Sequence, residues 1–140
     1  MNFLKVMVFV ATLGPGSLLA ADIPRTPSPE GASVYIISPS NGEIVPKTFT
    51  VKFGLKGMGV APSGIDRKNT GHHHLLIDGK NLPSFDKSMG KEVKHFGGGQ
   101  TETTIPLTPG RHTLQLILGD KSHVPHDPPV VSEKINVIVK

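Results

Sequence analysis

Glycine and proline interrupt this chain so often that helices have little room to form. Sixteen glycines and 13 prolines are spread over 140 residues, and beyond residue 21 no stretch shows helical apolar periodicity. What survives between them is a series of short extended segments, at residues 34–37, 48–55, 73–78, 92–96, 101–107, 111–118 and 134–139. In the second, Val51, Phe53 and Leu55 alternate with Thr50, Lys52 and Gly54, the pattern of a strand with one buried face. Asn41-Gly42 and Thr108-Pro109-Gly110 supply turns. About seven strands at this spacing predict an all-β fold, an immunoglobulin-like antiparallel β-sandwich spanning residues 34–140. Its expected core comprises Val51, Phe53, Leu75, Ile77, Leu114, Leu116, Ile135 and Val137.

The first quarter of the chain divides differently. Residues 1–21 read as a signal peptide: Lys5 precedes the apolar residues 6–13, Gly14-Pro15-Gly16 breaks the run, and Leu18-Leu19-Ala20-Ala21 offers small residues for cleavage. The run is short of the roughly 20 residues needed to span a bilayer, so a periplasmic or secreted location is expected, without stable membrane insertion after cleavage. Residues 22–33 are a proline-rich flexible lead-in. With no cysteine, neither a disulfide nor a thiolate ligand exists. The formal charge of +4, lowered by one when Lys5 leaves, is spread thinly, and there is no Trp to stack on bases. Nucleic acid is therefore not an expected partner.

Seven histidines remain to be placed. In an immunoglobulin-like order the loops following residues 48–55, 92–96 and 111–118 share one end of the sandwich. His72, His73 and His74 open a strand at that end, His95 lies at the next junction, and His123 and His126 sit in the last of these loops. His112 falls at the opposite pole. His72 and His74 are two apart on a strand, so their side chains share a face about 7 Å apart. His73 points the other way, in phase with Leu75 and Ile77, and reads as a core-edge histidine bonded to backbone.

His123-Val124-Pro125-His126 presents a second pair on a stiffened loop. The expected metal ligands are His72, His74, His123 and His126, with His95 and Met58 as further candidates. Asp120 and Asp127 are the carboxylates placed to orient the imidazoles. Imidazoles with a thioether favour copper before zinc. The alternative is a metal-free module that recognises a protein or cell-envelope partner through the same His- and Gly-rich loops. Catalysis is not expected. There is no Cys nucleophile, no serine in a nucleophile elbow and no metalloprotease helix, and Asp78, Glu102, Asp120 and Asp127 form no evident acid–base pair.

Several stretches are specific as words. Residues 51–62 (VKFGLKGMGVAP), 71–78 (GHHHLLID), 95–102 (HFGGGQTE) and 110–116 (GRHTLQL), with Gly119-Asp120 and His123-Val124-Pro125-His126, resemble the domain of unknown function 4399. The resemblance covers roughly residues 34–139 and is weakest over 80–94. It implies a small exported bacterial protein, periplasmic or secreted, and it implies no reaction.

Overall fold

Thr48–Lys56 (β3) buries Phe49, Val51 and Phe53 on one face, as the alternation requires. It is the centre of a three-stranded antiparallel sheet, flanked by Ser33–Ser38 (β1) and Glu102–Pro106 (β7). The computed structural model describes residues 23–140, so the signal-peptide reading of residues 1–21 lies outside the described residues. Six further strands form a second sheet: Glu43–Val45 (β2), Gly59–Val60 (β4), Thr70–Ile77 (β5), Lys94–His95 (β6), Gly110–Gly119 (β8) and Ile135–Val139 (β9). Their order is β2-β9-β8-β5-β4, with β6 paired to β5. Among the described residues no helix is long and apolar enough to cross a membrane.

The all-β expectation holds, with two corrections. Among the described residues nine strands are present rather than seven, and the larger sheet is mixed: β2 runs parallel to β9, and β4 parallel to β5. Both parallel pairs involve two- or three-residue strands beside a glycine or proline, too short to show alternation. The Asn41-Gly42 turn has the positive φ expected of its glycine, +82°. It does not close a hairpin. It carries the chain from β1 in one sheet to β2 in the other, where Gly42 N–H donates to the Asn136 carbonyl at 2.7 Å.

The core between the sheets matches the expected set. Val51 and Phe53 from the smaller sheet meet Leu75, Leu114, Leu116 and Val137 from the larger one, with Ile77 and Ile135 at its margin. Each fully buried side chain of this size contributes about 1.5–3 kcal/mol of transfer free energy. A second apolar cluster lies on the other face of the larger sheet, where Leu76 and Ile117 are covered by Met89, Val93 and Val131. Burial on both faces accounts for the unbroken runs Leu75-Leu76-Ile77 and Leu116-Ile117-Leu118, which alternation alone would not produce.

The lead-in at residues 23–33 is extended, but it does not hang free. Ser28 N–H donates to the Asp127 carbonyl and Asp127 N–H to the Thr26 carbonyl, both at 3.0 Å, tying it along the loop after β8.

Candidate metal centre

The period of a strand puts residues 72, 74 and 76 of β5 on one face and 71, 73, 75 and 77 on the other. The odd face looks into the core between the sheets. His73 packs there against Phe53, with ring centroids 5.1 Å apart, and is 1% exposed. The even face carries His72 and His74, both fully buried, beside the outer apolar cluster. The two rings lie 4.5 Å apart. Register then adds the neighbours. His74 sits directly across from His95 on β6, and His72 across from Gly119 on β8. The missing side chain at Gly119 makes room: a Cβ there would stand 2.5 Å from Cε1 of His74.

His123 arrives from the loop after β8. Asp120 shapes that loop, its Oδ1 accepting the amides of Ser122 (2.8 Å) and Val124 (3.0 Å) while its carbonyl accepts His123 N–H (2.9 Å). His123 itself adopts φ +62°, a left-handed conformation that a non-glycine residue takes only where its surroundings hold it. Its carbonyl accepts the Met89 amide at 2.9 Å, joining the two loops that cover the outer face.

Nδ1 of His123 is the meeting point. It lies 2.9 Å from Nε2 of His72, 3.1 Å from Nε2 of His74 and 3.2 Å from Nδ1 of His95. The ligand atoms of His72, His74 and His123 all fall within 4.8 Å of one another. A neutral imidazole nitrogen either donates one proton or accepts at one lone pair, so hydrogen bonding can satisfy only one of these three approaches.

The outer partners assign the protons. Nε2 of His95 is 2.8 Å from the Gly90 carbonyl, which can only accept, so His95 carries its proton there and its Nδ1 is bare. Nε2 of His123 is 3.1 Å from the Ser63 hydroxyl, whose own proton can point to the Lys121 carbonyl at 3.5 Å. With the Ser63 proton on that carbonyl, Nδ1 of His123 is bare as well, whereas a Ser63 proton given to Nε2 would leave the His123 proton on Nδ1. In the first arrangement two lone pairs face at 3.2 Å and repel unless a cation stands between them. Metal–nitrogen bonds of about 2.0–2.1 Å place neighbouring ligand nitrogens about 2.8–3.4 Å apart, depending on coordination geometry, and the three separations from Nδ1 of His123 fall in that range.

Electrostatics favour the bare state. Burial, followed by the neighbouring His123 and His95, lowers the pKa of His72 to about 4. Burial and then His72, His95 and His123 lower that of His74 to about 2. His123 is lowered too, by burial first and then by His95, with Asp120 opposing. Nδ1 of both His72 and His74 is buried without a hydrogen-bond partner. The floor of the site is thus buried and neutral, while His95 is exposed and His123 half-buried.

Four of the sequence-derived site residues therefore converge: His72, His74, His123 and His95. His126 does not join them. Its ring lies over Gly71, 2.8 Å from where a Cβ would stand and close to Leu118, on the opposite face of β5, and its Nε2 meets the Thr70 carbonyl at 3.1 Å. Three residues after His123, the loop has passed the end of the sheet and turned to its other face. Met58 packs against the main core.

The carboxylates act differently from the expectation. Asp120 binds backbone amides and the Thr26 hydroxyl (2.7 Å), and Asp127 pairs with Arg25 at 3.3 Å; neither bonds an imidazole. The group that does orient His123 is Ser63, which loop sequence alone could not point out. His112 stands seven residues from Gly119 along β8, paired with Asp78 at 2.7 Å, remote as expected.

A family model, Domain of unknown function (DUF4399), matches residues 51–140, which includes all four converging histidines. No curated protein and no solved structure matches the chain.

Proposed function

The chain belongs to the DUF4399 family, and we propose that it is an exported binding protein holding one transition-metal ion through His72, His74, His95 and His123. The observation that carries this reading is the convergence of three imidazole nitrogens on Nδ1 of His123 at 2.9, 3.1 and 3.2 Å. One cation satisfies all four nitrogens at once, and hydrogen bonds cannot. Neutral imidazoles without carboxylate or thiolate suit copper or zinc. Copper(II) heads the affinity order for nitrogen sites, so copper is placed before zinc. Met58 lends this preference no support from its place in the core.

Four protein ligands leave no open position for a substrate, which favours binding over catalysis. The apolar start of residues 1–21 and the lack of cysteine favour export to the periplasm or beyond. The pairing order β1-β3-β7 opposite β9-β8-β5, with β2 parallel to β9, favours an immunoglobulin-like reading of the sandwich.

The test is direct. Untagged chain recovered from the periplasm is weighed intact, for loss of the leader, and assayed for copper and zinc. Apo protein is then titrated with Cu(II) and Zn(II) alongside His74→Ala, His123→Ala and His112→Ala. The first two substitutions are expected to lose tight binding and the third to keep it. Parental protein binding neither ion better than millimolar, or all variants binding equally, would overturn the metal reading. The same loops would then be better read as a recognition surface for a protein or cell-envelope partner.

A further inference from the structure

We propose that residues 25–28 form a latch that sets the affinity of the histidine site by clamping the loops that close it. The inference rests on the metal reading above and goes beyond it, because these residues touch no ligand nitrogen and lie outside the matched residues 51–140. His72 and His74 stand on a central strand bonded along β8 and cannot move independently. His123 comes from an irregular loop and His95 from the two-residue strand β6 at the end of a long loop, so the placement of those loops decides whether four nitrogens converge.

Arg25 grips both segments. Its Nε donates to the Pro125 carbonyl at 3.3 Å, its Nη2 to the His126 carbonyl, and its Nη1 lies 3.3 Å from Asp127 Oδ1. The same guanidinium lies 5.8 Å from the ring centroid of Phe85, in the loop that leads to Met89 and His95. Thr26 reaches the other root of the His123 loop. Its hydroxyl donates at 2.7 Å to Asp120 Oδ2, while Oδ1 of that carboxylate holds the amides on either side of His123. The strand-like bridge between Pro27 and Asp127 completes the contact.

Without these contacts, the buried Asp120 loses its side-chain partner and the carbonyls of Pro125 and His126 lose their donors. The His123 loop would then visit its binding geometry only part of the time. Apparent affinity scales with that fraction, so a loop competent one-tenth of the time binds about tenfold more weakly.

The experiment uses the untagged full chain and measures Zn(II) affinity by chelator competition, the Cu(II) electron paramagnetic resonance spectrum at saturation, and the melting temperature of the apo form. The variants are Arg25→Gln, Thr26→Val, Thr26→Ser and, as a control on the same segment, Glu30→Gln. Arg25→Gln and Thr26→Val are each expected to weaken Zn(II) binding by about tenfold. Thr26→Ser and Glu30→Gln should bind like the parent, and the saturated Cu(II) spectrum should be unchanged throughout because the ligands are unchanged. If Arg25→Gln and Thr26→Val lower the apo melting temperature yet bind Zn(II) with parental affinity, the segment only stabilises the fold and the latch is refuted. A parent that binds neither ion removes the metal reading and the latch together, whereas parental binding with unaffected variants removes the latch alone.

Discussion

Gly119 governs how closely His74 can lie to the strand beside it. A Cβ at this position would come within 2.5 Å of Cε1 and 3.0 Å of Nδ1 of His74, and within 3.0 Å of the Met89 methyl. The ring has no slack to absorb this, being fully buried beside His72. Gly119→Ala is therefore expected to fold with a loss of about 1–3 kcal/mol, typical of overpacking, and to bind Cu(II) and Zn(II) more weakly than the parent. Chemical denaturation and ion titration read the two effects separately. Parental affinity in the variant would mean that His74 need not occupy its observed position.

At the scale of an element, β5 separates two kinds of histidine by the alternation of a strand. His72 and His74 face the histidine cluster, while His73 faces the core with both ring nitrogens lacking a hydrogen bond of good geometry. A buried, unpaired polar group costs stability, and an apolar side chain of similar size removes that cost. His73→Leu should accordingly raise the unfolding free energy by about 1 kcal/mol while leaving ion binding unchanged. Urea denaturation of apo protein, paired with Zn(II) titration, checks both halves. A strong loss of stability would show that the His73 ring makes a polar contact essential to the fold.

For the molecule as a whole, these buried imidazoles make apo stability depend on pH. The folded pKa values of His72 and His73 are lowered to about 4 and that of His74 to about 2, burial being the main cause, against an unfolded value of 6.5. Below pH 6.5 the unfolded chain thus binds protons that the folded chain refuses, and stability falls as the pH falls. Above 6.5 this loss is absent. Between 6.5 and about 4, each of the three contributes up to about 1.4 kcal/mol per pH unit. His112 runs the other way: its pKa is raised by the hydrogen bond to Asp78, so its stabilisation is present in acid and fades as the pH rises through its raised pKa. Melting temperatures of apo protein from pH 7.5 to 4.5 should fall steeply, and a flat profile would contradict neutral buried imidazoles. Bound Zn(II) should raise the melting temperature at pH 7.5, because it binds only the assembled site.

Much of this was already written in the chain. Alternation in residues 48–55 and 134–139 determines which faces are buried, because side chains on a strand must point alternately to its two sides. Glycine and proline determine that the segments stay short. The same local rule separates His72 and His74 from His73, and the turn spacing sends His112 to the far pole. Three things waited for the tertiary structure. The site lies on the outer face of the larger sheet, roofed by loops, because Leu76 and Ile117 recruit Met89, Val93 and Val131 to cover them. His95 rather than His126 completes the cluster. β6 pairs directly across from His74, whereas the chain beyond His123 turns to the opposite face of β5. Asp120 and Asp127 serve the backbone and residues 25–26 instead of the imidazoles. Spacing along a strand is a property of a few consecutive bonds and can be read locally. The path of a loop depends on which distant surface it covers, and no short stretch of sequence contains that surface.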